Sequence, residues 1–95
     1  WEAAKLLTME AAWMADNRKP NSVQASMAKA KAGRSGTDIT LRAVKLAGSF
    51  GYSENSLLEK WSRDSKILDI FEGTQQIQLL IIARQLLGKS SSELK

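Results

Sequence analysis

The chain has 95 residues, 43% hydrophobic and 25% charged, with a formal charge of +4, which fits one small globular domain with a modest core. It holds no cysteine and no histidine, so disulfide frameworks and thiolate zinc sites are excluded, no metal centre is expected, and the commonest general base is missing. Any chemistry must rest on carboxylates, lysines, hydroxyls or a borrowed cofactor.

No apolar run approaches the roughly 18 residues of a membrane span; Leu79-Leu80-Ile81-Ile82-Ala83 is the longest. No basic start with an apolar core marks a signal peptide. Trp1-Glu2-Ala3-Ala4-Lys5-Leu6-Leu7 is helix-like from its first residue, with no cap before it. It reads as the interior of a helix in a longer protein. Charge is uneven. Residues 17–37 carry Arg18, Lys19, Lys29, Lys31 and Arg34 without an acid, a zone that could meet phosphate or serve as a solvated face.

The first predicted helix runs from Trp1 to about Asp16, with Ala3, Leu6, Met9, Ala12 and Trp13 at three- and four-residue spacing. Asn17–Asn21, with Pro20, forms a turn. Ser22 is a suitable N-cap for a second helix reaching about Ala47. Gly33 and Gly36 lie inside it, where each costs about 1 kcal/mol against alanine, so a kink or a close packing contact is expected there. Gly48–Ser53 reads as a loop. A third helix spans about Asn55 to Phe71 and is broken by Gly73. Thr74 caps a fourth, Gln75–Leu87, which Gly88 closes. The Ser-rich tail from Lys89 to Lys95 is expected to fray. The pattern is all-α. Trp1, Trp13 and Trp61 read as core or interface residues, and Met9, Met14 and Met27 as core filler.

No glycine-rich phosphate loop is present; Gly48-Ser49-Phe50-Gly51 is too short and follows a helix. Asp69 and Glu72 are three apart and could share a helix face. Glu72 stands out more, after Ile70-Phe71 and before Gly73-Thr74. An apolar shoulder disfavours the ionised carboxylate, which suits a base working near neutral pH. Gly73 lets a ligand approach the backbone, and the next helix start offers N–H groups to a ligand oxygen. The residues alone fit a surface acid beside a helix-ending glycine better.

Arg63-Asp64-Ser65-Lys66-Ile67-Leu68-Asp69-Ile70-Phe71-Glu72-Gly73-Thr74-Gln75-Gln76-Ile77-Gln78 resembles the C-terminal signature of acyl-CoA dehydrogenases. Ile82-Ala83-Arg84-Gln85-Leu86-Leu87 resembles that family's ending. Ala25-Ser26-Met27-Ala28-Lys29 resembles its central-helix A-x-x-A-K, and Ala43 to Tyr52 its A-V-Q-I-x-G-G-x-G-Y segment. The set runs in order over nearly the whole chain. It implies an antiparallel helical bundle, the latter part of that family's C-terminal helical domain, with residues 1–95 forming a partial domain whose first helix is truncated.

The resemblance implies a flavoprotein that oxidises acyl-CoA thioesters to trans-2-enoyl-CoA. It maps the base that takes the α-proton onto Glu72 and places Gly73 against the thioester. Thr74, Gln75 and Gln76 fall at the FAD, and Lys45, Leu46, Ala47, Gly48 and Ser49 at the FAD of a neighbouring subunit. The implied partners are acyl-CoA, electron-transfer flavoprotein or a similar acceptor, and three further copies in a dimer of dimers. The implied compartment is bacterial cytoplasm, ahead of the mitochondrial matrix. Two departures bear on the inter-subunit contact: Lys45 replaces the family's glutamine, and Ser49 its second glycine. Arg63 and Asp64 read as an ion pair or cap for the third helix. The isolated segment is expected to be inactive and to associate through uncovered apolar faces. The competing readings are a non-catalytic helical subunit and a basic helical module that binds nucleic acid.

Overall fold

The computed structural model describes residues 1–90, 92 and 93, which form helices and turns and no strand. The helices are α1 (Glu2–Asp16), α2 (Ser22–Tyr52), α3 (Leu57–Lys66) and α4 (Gln75–Leu87), with one 3-10 turn at Ile67–Asp69 after α3. The all-α expectation holds. Part of the expected frayed tail, residues 91, 94 and 95, lies outside the described residues.

α1 and α4 have the predicted bounds, and both end on local signals. The Asn17 amide nitrogens, backbone and side-chain, donate to the Trp13 carbonyl at 3.1 and 2.8 Å. Arg18 then turns the chain at φ +54° ahead of Pro20. At the start of α4 the Thr74 hydroxyl accepts the Ile77 amide at 3.3 Å, and Gly88 ends the helix in the left-handed conformation, φ 62°.

α2 departs from expectation at both ends. Asn21, not Ser22, is its N-cap residue, and makes no side-chain cap bond. The Asn21 side-chain amide instead reaches back to the Ala11 carbonyl, 2.9 Å, tying the turn to α1. The loop expected at Gly48–Ser53 is largely helix. One residue, Gly48, leaves helical geometry (φ 60°, ψ −138°), and the helix resumes to Tyr52. The uninterrupted part of α2, from Ser22 to Ala47, is about 39 Å long, most of the 48 Å length of the molecule.

α2 packs against α1, α3, the 3-10 turn and α4. It does so through small residues: Ser26, Ala28, Ala30, Gly33, Val44 and Gly51 are its buried positions. Gly33 shows why. A Cβ there would lie 2.8 Å from the Leu68 carbonyl oxygen, so the 3-10 turn rests directly on the α2 backbone. Of the two outcomes foreseen at Gly33 and Gly36, close packing is the one found, and α2 runs through both without a kink.

The third predicted helix is shorter than expected. α3 stops at Lys66 and the chain tightens through Ile67–Asp69 before turning away. Arg63 and Asp64 do not pair with each other. Arg63 donates to Glu59 at 2.8 and 3.1 Å and Asp64 receives Lys60, both across one helical turn.

The molecule is a slab, 48 × 34 × 18 Å, with a radius of gyration of 16.3 Å. A compact chain of this length would have about 12 Å. Its accessible surface is 6957 Å², against roughly 5,400 Å² for a compact monomer of this mass. Among the described residues no large side chain is fully buried. Met9 is 62% exposed, which corrects its reading as core filler, and Trp1, Trp13 and Trp61 are 76%, 53% and 51% exposed, which leaves the interface half of their reading. Two facing helices are already about 20 Å across, so an 18 Å slab has no room for a sheltered interior. The buried atoms form a seam of small residues instead, and the large apolar groups face outward.

Candidate functional site

The segment from Ile67 to Thr74 joins α3 to α4, and its path is set by hydrogen bonds within it and by donors from α4 and α2. The Ile67 carbonyl takes the amides of both Ile70 (2.9 Å) and Phe71 (3.0 Å), which closes the 3-10 turn. Beyond it the backbone enters left-handed geometry twice in succession, at Glu72 (φ +53°) and Gly73 (φ +94°). For glycine this carries no steric penalty. For glutamate it costs about 1–2 kcal/mol. Gln78, one turn into α4, donates from its side-chain amide to the Glu72 carbonyl at 3.1 Å. That amide packs so closely on Gly73 that a Cβ at 73 would lie 2.5 Å from its nitrogen.

Glu72 is exposed and opens onto a cavity of about 300 Å³ lined by Lys29, Ala32, Gly33, Leu68, Phe71 and Glu72 itself. The apolar shoulder expected around the carboxylate is present in sequence but open in space: Ile70 and Phe71 are 51% and 45% exposed. This chain by itself does not desolvate Glu72. Asp69 does not converge with it. Asp69 is turned inward, 5% exposed, where its Oδ2 receives Lys66 at 3.1 Å and the Thr37 hydroxyl at 3.4 Å. Asp69 is buried and Glu72 exposed, and the residues from 70 to 73 are not helical, so the two acids do not share a helix face.

The other predicted site residues divide into three places. Gly73 adjoins Glu72. Thr74 caps α4 with its hydroxyl oxygen, which leaves the amides of Gln75 and Gln76 without a partner in the helix, as geometry requires at a helix start. The Gln75 side chain lines a different cavity, about 330 Å³, beside Leu7, Met27 and Ala30, while Gln76 is exposed. Lys45, Leu46, Ala47, Gly48 and Ser49 sit at the far end of α2. Gly33 touches the Glu72 loop, and Lys45, twelve residues on, lies about 18 Å further along the axis. The structure therefore does not bring residues 45–49 to Glu72. Lys45, Leu46 and Ser49 are exposed, and the space beside Gly48 is open.

Two residues at the site were not singled out for it from sequence. Gln78 braces the loop from α4. Lys29 reaches it from α2, donating to the Leu68 carbonyl and, at 3.5 Å, to that of Gly73. Lys29 belongs to the A-x-x-A-K pattern, but its partners are 39 and 44 residues away, and no local signal connects them.

The basic zone at 17–37 is dispersed. Lys19 lies over the Trp13 ring, 4.4 Å from its centre, Lys29 is turned onto the Glu72 loop, and Arg34 faces Asp38 at 3.7 Å. Arg18 and Lys19 lie in the turn after α1 and the other three on α2, and the partners of Lys19, Lys29 and Arg34 within the chain leave no shared phosphate-tracking role for them. Among the described residues no cluster of acids could hold a metal ion, and no helix is long and apolar enough to cross a membrane.

Residues 1–87 match the acyl-CoA dehydrogenase C-terminal domain. The chain is 43% identical over 86 residues to the mitochondrial short-chain specific acyl-CoA dehydrogenase of Bos taurus, covering 90% of this chain and 21% of that protein. It is 41% identical over 88 residues to a caffeyl-CoA reductase–Etf complex subunit of Acetobacterium woodii, covering 93% of this chain and 23% of that one. The butyryl-CoA dehydrogenase structure from Megasphaera elsdenii superposes with a TM-score of 0.88 at 38% identity, over 90% of this chain and 22% of that one. The chain thus spans about a fifth of the length of these relatives.

Proposed function

The chain belongs to the acyl-CoA dehydrogenase family, as a stretch of its C-terminal helical domain, and from that premise we propose that it supplies the base of a flavin-dependent acyl-CoA dehydrogenase whose remaining domains lie elsewhere. The observation that carries this reading is the backbone at Glu72. A glutamate held at φ +53° beside a glycine at φ +94° is strained, and strain of this kind persists only where neighbouring structure imposes it, commonly at functional sites. Here it presents the carboxylate to a cavity rather than to the helix seam.

In this reading an acyl-CoA thioester approaches Gly73, and the Glu72 carboxylate takes the α-proton. A bound FAD would supply the acceptor for the β-hydrogen as hydride, while the electron pair of the α-C–H bond broken at Glu72 would become the new Cα–Cβ double bond. The residues present fit such a cofactor in part. The amides of Gln75 and Gln76 can donate to its oxygens, the Thr74 hydroxyl retains its proton to donate, and Gln76 is free to reach outward. Gln75, which lines the cavity between α4 and α2, contributes through its backbone. Lys45 to Ser49, about 18 Å or more along α2, serve a second FAD in a neighbouring subunit. There Lys45 offers a cation to phosphate in place of the amide hydrogen bonds of glutamine.

The outward-facing apolar residues support assembly with the missing domains and with further copies in a homotetramer. The relation to an Etf-complex subunit supports an electron-transfer flavoprotein or similar acceptor. Mitochondrial and bacterial relatives both occur, and bacterial cytoplasm is the compartment proposed. The purified flavoprotein carrying this chain, mixed anaerobically with acyl-CoA thioesters, should lose its flavin absorbance. Glu72→Gln should abolish that bleaching. Persistence of bleaching in Glu72→Gln would move the base elsewhere; absence of flavin and of bleaching in the wild type would leave a non-catalytic subunit.

A further inference from the structure

We infer that Lys29 is the positioning residue for Glu72: its ammonium clamps the two carbonyls that flank the strained residue and so holds the carboxylate in place. The inference rests on the reading of Glu72 as the base and assigns a residue that acts through it.

The loop needs an external anchor. The Ile67 carbonyl receives two amides and ends the helical register. The next carbonyl, Leu68, is met by Lys29. So is that of Gly73, across the bend, at 3.5 Å. The ammonium also lies 5.6 Å from the centre of the Phe71 ring, close enough for a cation–π contact. One cation thus touches residues 68, 71 and 73, on both sides of Glu72. A lysine suits this task because it donates three hydrogens from a point charge, and because carbonyls at a helix C-terminus carry partial negative charge.

The anchor is itself fixed. Lys29 lies between Ala28 and Ala30, both buried in the α2 seam, and one turn before Gly33, on which the same loop rests. Among the described residues its ammonium enters no ion pair, so its charge is directed to the loop. It also lines the cavity that Glu72 faces. A change at Lys29 should therefore be felt at the carboxylate without removing a group from the helix seam.

The test compares Lys29→Met, Lys29→Arg and Glu72→Gln in the flavoprotein that carries this chain. Flavin content is measured, together with affinity for a non-oxidisable acyl-CoA thioether, read from the flavin spectrum, and the rate of anaerobic bleaching by substrate. Lys29→Met keeps the apolar stem and loses every donor. It should retain flavin and bind the thioether within about 3-fold of wild type, while bleaching slows by about 10- to 100-fold, the scale expected for misplacing a reacting group by an ångström or less. Lys29→Arg, which restores a cation with donors, should recover most of the rate.

Wild-type bleaching in Lys29→Met overturns the inference. Loss of flavin, or a fall in thioether affinity as large as the fall in rate, also overturns it, since Lys29 would then hold the fold or the substrate. If Lys29→Met cannot be purified, Lys29→Arg decides: a folded, flavin-loaded variant bleaching as slowly as Glu72→Gln refutes positioning by a cation. Glu72→Gln separates the two claims. Bleaching that survives it removes the base assignment, whereas bleaching lost in it but intact in Lys29→Met removes only the positioning role.

Discussion

Gly33→Ala and Gly36→Ala form a matched pair, because both add one methyl to the same helix and both gain about 1 kcal/mol of helix propensity. What differs is the space. A methyl at 36 meets only the Leu68 Cδ1, at 3.7 Å, an ordinary contact. A methyl at 33 would lie 2.8 Å from the Leu68 carbonyl oxygen and 3.2 Å from both the Leu68 carbonyl carbon and Asp69 Oδ1. Restoring about 3.4 Å to the oxygen moves the backbone by about 0.6 Å, against a turn already pinned by Lys29 and Lys66. Overpacking of this kind costs about 1–3 kcal/mol. Gly36→Ala should therefore stabilise the protein by about 1 kcal/mol. Gly33→Ala should leave it unchanged or less stable by up to about 2 kcal/mol. Urea unfolding of the flavoprotein, followed by far-ultraviolet circular dichroism, should rank Gly36→Ala above wild type and Gly33→Ala at or below it. Equal stabilisation by both would refute the close approach of the 3-10 turn to α2, and with it the account of how the Glu72 loop is seated.

Three further outcomes are expected. Thr74→Ala removes the hydroxyl that caps α4 and should cost about 1 kcal/mol in the same unfolding assay, while Thr74→Ser should cost less. Glu72→Asn places a residue that tolerates left-handed geometry at φ +53°, so it should unfold no earlier than wild type while flavin bleaching by substrate collapses. The Arg63 guanidinium hydrogen-bonded to Glu59 holds that carboxyl below its ordinary 4.5. A carboxyl lowered in the folded state contributes stability above the unfolded value, and that contribution is lost as pH falls through the folded one. The melting temperature of Glu59→Gln should therefore trail wild type near neutral pH and converge with it as pH falls through the lowered folded-state value.

What could be read from sequence was local. α1, α4, the Thr74 cap and the Gly88 stop each depend on residues within one helical turn, and each stands as expected. Gly48-Ser49-Phe50-Gly51 has a loop's composition, but only Gly48 leaves helical geometry; the following turn is helix, with Gly51 buried against Val44 and Ala47. Met9 misled, and the tryptophans stayed open between core and interface, because helical periodicity identifies an apolar face without saying what covers it. At the candidate site, Glu72 and Gly73 were picked out by the family resemblance and not by the residues alone, and their left-handed backbone carries no sequence signal at the glutamate. Lys29 was not singled out, since its carbonyl partners lie 39 and 44 residues away and carry no side-chain signature. Asp69 and Glu72 were paired by spacing, but residues 70 to 73 are not helical, and one acid is buried and the other exposed.

The thinness of the slab changes how substitutions in it should be interpreted. In most domains a position open to water tolerates change, and a survey of variants recovers the buried core as its intolerant set. Here the accommodating sites need not be the open ones. Leu46, 90% exposed, and Trp1, 76% exposed, would rank as permissive by their surroundings in this chain, yet each is a large apolar group that the proposed assembly would cover. A variant at such a position can leave the segment's own helices intact and still lower the yield of assembled enzyme. Solvent exposure measured on these residues alone is therefore a poor guide to which changes in this segment would be harmful.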